Sequence, residues 1–101
     1  MAEVYFWKEA QKDYGKLDGT LKQWVDAAER RLQERGSEIG KDLGSTNYSK
    51  LSGFKELKNQ KFGIRLIFRP SAEGHIEIIE LVAIGKREDE KVFLTAEKRR
   101  K

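Results

Sequence analysis

With 101 residues, 38% of them apolar and an equal 38% charged, the chain suffices for a single domain, 1–101, built around one modest core. It has no cysteine, which excludes a disulfide framework, thiolate chemistry and a zinc–thiolate site. No apolar run approaches the roughly 20 residues of a membrane span, and Met1 to Trp7 lacks a signal-peptide pattern, so a cytoplasmic protein is expected.

Residues 4–7 (VYFW) are an apolar, aromatic run of the kind an edge strand uses. Ala10, Tyr14 and Leu17 then fall at i, i+4 and i+7, one face of a helix. Asp18-Gly19 breaks the chain, and Thr20 with Gln23 three residues on reads as a capping box that opens a second helix. Leu21, Trp24, Val25, Ala28 and Leu32 form its amphipathic stripe. Arg30, Arg31 and Arg35 fill the last turns, where cations suit the helix dipole, and Gly36 is placed to cap it. Residues 36–50, rich in Gly, Ser and Asn, predict a loop anchored by Ile39, Leu43 and Tyr48.

Three strands are expected next. In residues 54–58, Phe54, Glu56 and Lys58 share one face, with Lys55 and Leu57 on the other. A tight connection at Asn59-Gln60-Lys61 leads into residues 62–69, with Phe62, Ile64, Leu66 and Phe68 on one face and Arg65, Ile67 and Arg69 on the other. Pro70 should end that strand, since proline has no N–H for a ladder. After a turn at 71–74, residues 76–84 (IEIIELVAI) are apolar on both faces, as in a central strand, and Gly85 interrupts them. Residues 89–101 predict a short polar helix touching the rest through Val92, Phe93 and Ala96. The fold class is therefore α+β: an N-terminal strand and a helical hairpin packed on an antiparallel β-meander, with a short C-terminal helix. The second sheet face stays partly open, and Lys58 or Arg65 can point into it.

Charge divides along the same line. Residues 1–49 carry 8 Lys/Arg against 9 Asp/Glu, a net of −1, whereas residues 50–101 carry 13 against 8, a net of +5. A basic, strand-bearing half points to a polyanionic partner, or more plainly to lysines guarding edge strands.

The segments LSGFKELKNQKFGIRLIF, IGKREDEKVF and AEKRR, with KEAQKDYGKLD near the start, resemble the RelE branch of the RelE/ParE toxin superfamily over nearly the whole chain. The likeness lies in LSG before a strand, in the spacing from Gly53 to Gly63 to Arg65, and in a hydrophobic-G-K-R-E sequence after the last strand. It implies the toxin of a bacterial type II toxin–antitoxin system, cutting mRNA in the ribosomal A site as a metal-independent endoribonuclease. It also implies inhibition by a cognate antitoxin in a hetero-oligomer. The alternatives are a ParE-like inhibitor of DNA gyrase without nuclease activity, or a degenerate toxin that only binds antitoxin or RNA.

Metal-free RNA cleavage needs a base for the ribose 2′-OH, cations for the charge gathering on the phosphate, and an acid for the leaving 5′-oxygen. Arginine suits the second task through its planar, permanently charged fork. Arg65, mid-strand, falls on the family's arginine position and is the leading candidate; the plain alternative is pairing with Glu56 or Glu80. Arg87 matches the arginine of the family's GKR, and is otherwise a solvated loop charge. Two lysines occupy the positions of Glu56 and Lys58 in the RelE pattern. A lysine is a poor base with an ordinary pKa near ~10.4, whereas a carboxylate is already ionised, so Glu56 is the expected base and Lys58 the phosphate ligand. The plain reading is an i, i+2 pair on an exposed strand. Phe93 stands where the pattern has tyrosine: it keeps a ring for stacking on a base but has no hydroxyl, and alone it reads better as a core anchor. Lys55, Lys61, Lys86, Lys98 and Arg99 are the expected RNA contacts, the last two in a basic tail that could equally be a frayed helix end. His75, alone in a turn, reads as a surface residue. No metal site and no cofactor are expected.

Overall fold

The computed structural model describes residues 2–44, 49–86 and 91–100. The aromatic opening run forms β1, Ala2–Phe6. Helix α1, Lys8–Gly15, buries Ala10, and α2, Gly19–Arg35, buries Val25, Ala28 and Leu32 from the stripe read in the sequence. The cap of α2 is Asp18, whose side chain accepts from Leu21 N–H at 2.9 Å, and not Thr20. A carboxylate is the stronger acceptor for the orphan N–H groups and is favoured by the dipole. Gly36 caps the other end as expected. A 3-10 turn, Gly36–Ile39, is then anchored by Glu77, which accepts from Ser37 N–H at 3.0 Å and from its hydroxyl at 2.8 Å.

Inside the expected loop lies a two-residue strand, β2, Lys41–Asp42, too short to leave a pattern. β3, Lys55–Asn59, β4, Ile64–Glu73, and β5, Ile76–Lys86, complete a five-stranded sheet in the order β1-β5-β4-β3-β2. Strands β3, β4 and β5 form the antiparallel meander, and β1 lies parallel to β5 with Val4 opposite Ile79. Such a parallel pair needs a long crossover, here including both helices.

Several boundaries differ from the sequence reading, and three of the differences have a clear physical cause. Phe62 is in the turn before β4, because Asn59 Oδ1 accepts from Phe62 N–H at 3.1 Å. Pro70 does not end β4: it stands opposite Ile79, beyond the last residue of β4 that β3 accompanies, Phe68 opposite Lys55. β4 is an edge there, and an edge tolerates a missing donor. Gly85 does not interrupt β5. A Cβ at Gly85 would lie 3.2 Å from Val92 Cβ, so its role is to let α3, Lys91–Arg99, approach the sheet closely.

The core is double. On one sheet face, Leu57, Ile64, Leu66, Phe68, Ile79 and Leu81 pack under α1 and α2. On the other, Ile67, Val82 and Ala83 pack with Leu43, Leu51 and Phe54 and with Val92, Phe93 and Ala96 of α3. A bulge makes this possible. Ile67 faces Ala83 and Phe68 faces Leu81, so Val82 is the extra residue, and Val82 and Ala83 both reach the second face. That face is thus covered over much of its area, more than the partly open face read from the sequence.

Candidate active site on the second sheet face

Strand alternation decides which side chains meet. Lys58 of β3 stands opposite Arg65 of β4, which stands opposite Gly85 of β5. Glu56 shares the Lys58 face, because it lies opposite Ile67, a second-core residue. Arg65 and Glu56 form a diagonal ion pair, with Nη1 donating to Oε2 at 2.7 Å and side-chain exposures of only 13% and 3%. The guanidinium also lies over the Phe93 ring, 4.8 Å from its centre. Its Nε is buried without a hydrogen-bond partner among the described residues. A buried donor left unpaired costs free energy.

The sequence candidates are distributed as follows. Glu56, Lys58, Arg65 and Phe93 are brought together. Lys58 is exposed, with no ion pair among the described residues, whereas Phe93 is 1% exposed and serves as the anchor of α3. Lys61 lies exposed in the β3–β4 turn with its ammonium 5.8 Å from the Phe62 ring centre. Lys55 points to the opposite face, its Nζ donating to Ser37 O at 2.6 Å. Lys86 lines a separate cleft of about 450 Å³ between α1, the end of β5 and α3, together with Lys16, Lys91 and Arg99. Arg99 is no free tail residue. It grips Asp13 at 2.6 Å and 3.2 Å and donates to Val82 O at 2.8 Å, while Asp13 accepts from Ile84 N–H at 3.1 Å. Since β1 leaves β5 after Trp7 N–H donates to Leu81 O, this pair serves the β5 backbone that has lost its neighbour. Lys98 is exposed on α3, and His75 is exposed at the β4–β5 turn. Arg87 lies outside the described residues.

Sequence reasoning missed a second, half-buried network beside the first. Arg69 donates to Glu80 Oε1 at 2.9 Å, Trp7 Nε1 donates to Glu80 Oε2 at 2.8 Å, and the Arg69 guanidinium lies 5.1 Å from the Trp7 ring centre. Burial raises the Glu80 carboxyl, but the hydrogen bonds from Arg69 and Trp7 and the charge of Arg69 outweigh it, so Glu80 lies below its ordinary value. The signal was available: Arg69 shares the parity of Arg65 on β4.

No family model and no curated protein matches the chain. Solved structures do. A doubly substituted E. coli toxin RelE in the free state is 21% identical, with a TM-score of 0.74 over 98% of each chain. The toxin–antitoxin complex RelBE2 from Mycobacterium tuberculosis is 21% identical, with a TM-score of 0.67 over 85% of this chain and 98% of that one. The YoeB/ParE toxin from Agrobacterium tumefaciens is 12% identical, with a TM-score of 0.64 over 83% and 97%. At these identities the likeness is one of fold: this chain has the fold of the RelE toxins.

Proposed function

We propose that the chain is the toxin of a type II toxin–antitoxin pair and a metal-independent endoribonuclease that cuts mRNA on the ribosome. The carrying observation is the buried Arg65–Glu56 pair beside exposed Lys58 on one face of a RelE fold. In this reading the Glu56 carboxylate holds Arg65 and takes the proton of the 2′-OH. The 2′-oxygen then bonds to phosphorus, and the bond from phosphorus to the 5′-oxygen breaks. Arg65 and Lys58 stabilise the charge on the non-bridging oxygens. Phe93 cannot give the leaving 5′-oxygen its proton, so the Lys58 ammonium does. The products are a 2′,3′-cyclic phosphate and a 5′-hydroxyl. A cognate antitoxin in a hetero-oligomer would silence the site by covering the same basic face.

The test is mRNA on programmed ribosomes, with and without a single 2′-deoxyribose at the cut. Position-specific cuts with cyclic-phosphate ends, lost with the deoxyribose, are expected. A folded protein that makes no cuts but inhibits DNA gyrase would establish the ParE-like reading. One observation favours that reading: the Phe93 ring is used to hold Arg65 and offers no hydroxyl.

A further inference from the structure

Along the outer edge of β3 lies a cleft of about 300 Å³ lined in part by Trp24 and Arg31 of α2, Lys41 of β2, and Glu56 and Lys58 of β3. β2 accompanies β3 only at Lys55 and Glu56, so from Leu57 onward the outer edge of β3 has no strand beside it among the described residues. The rim holds three cations and one carboxylate, and that carboxylate, Glu56, is already paired with Arg65. Arg31, Lys41 and Lys58 are exposed, with no ion pair among the described residues. The segment bearing Lys41 is held in place. A Cβ at Gly40 would collide with the Phe68 ring, and the turn before it is anchored on Glu77. Trp24 is half-buried against the first core and lines the cleft.

We infer that this cleft seats the nucleotide adjoining the scissile phosphate, with Arg31 and Lys41 on its backbone phosphate and Trp24 beneath its base. The inference rests on the nuclease reading and extends it to a substrate path. Cations beside an aromatic side chain are what single-stranded RNA requires: basic groups track the phosphates and the ring supports a base whatever its identity. An acidic peptide would satisfy the charges but has no use for the aromatic floor. Lys58 belongs to both places, so a strand lying in the cleft delivers its next phosphate to Arg65.

The test is ribosome-bound mRNA with either a native linkage or one charge-neutral methylphosphonate linkage next to the cut, read by single-turnover cleavage. The enzymes are wild type and the double variant Arg31→Ala, Lys41→Ala, whose unfolding midpoints are compared first; both residues are exposed, so the fold should survive. On native RNA the variant should cut on the order of tenfold more slowly. The neutral linkage should slow the wild type comparably and cost the variant nothing further. Three results overturn the inference while leaving the nuclease reading intact: a variant as fast as wild type, a defect of equal size on both RNAs, which puts the cations on ribosomal RNA, or a defect confined to antitoxin binding. Absence of cleavage by the folded wild type overturns the nuclease reading, and the cleft assignment with it.

Discussion

Arg65 and Lys58 stand side by side, yet their alanine variants ask different questions. Arg65→Ala leaves the Glu56 carboxylate at 3% exposure without its cation, and stranding one member of a buried pair costs ~3–5 kcal/mol. Lys58→Ala removes an exposed charge and should change stability by less than ~0.5 kcal/mol. Urea unfolding of both variants checks this, and equal stabilities would show that the buried pair contributes nothing. Loss of activity in Arg65→Ala therefore carries a structural component that loss in Lys58→Ala does not. Glu80 gives the pH prediction. Its folded value is depressed, so its contribution is present above the ordinary carboxylate range and fades as pH falls through the folded value. The stability gap between wild type and Glu80→Gln should narrow on going from about pH 6 to about pH 3. Glu29 has the opposite sign: burial, then Asp26, raises it, so Glu29→Gln should add stability at neutral pH.

Among the elements, α3 decides how much of the second sheet face is open. It is held by Val92, Phe93 and Ala96 in the second core and by the Arg99–Asp13 pair at its end. Arg99→Ala should lower the unfolding midpoint by roughly 1–3 kcal/mol of stability, since it frees both Asp13 and the Val82 carbonyl. Native-state hydrogen exchange should show the loss concentrated in α3 and the end of β5; uniform loss would mean the pair is not a local latch. Elements were also where the sequence was most and least legible. The long α2 stripe and the alternation of β4 survive in any context, because burial sets their period. Pro70 and Gly85 were misjudged because each obeys a local rule that tertiary position overrides: an unaccompanied strand in one case, a close helix in the other. β2 has only two residues and no period to detect. The candidate site was half legible. Parity placed Glu56 and Lys58 on one face of β3, but the register that sets Arg65 beside them is not local, and nothing local says that Lys55 will bond to Ser37 or Arg99 to Asp13, contacts that join distant parts of the chain.

For the molecule as a whole, two thin cores flank one sheet, and the basic half of the chain supplies most of that sheet. Cations on core strands are tolerated because the face they occupy is not wholly given to packing: Arg65 and Arg69 are half-buried with carboxylate and aromatic partners, and Lys58 stays in solvent. A polyanion bound across this edge and the adjoining cleft should leave with added salt, steeply if several phosphates are held. The most direct measurement is cleavage of one defined mRNA on a programmed ribosome by wild type beside Lys58→Ala, at matched stability and with both ends mapped. Position-specific cuts by the wild type and their loss in the variant are expected. Cuts of unchanged rate from Lys58→Ala would contradict this, because the chemistry would then lie elsewhere on the molecule.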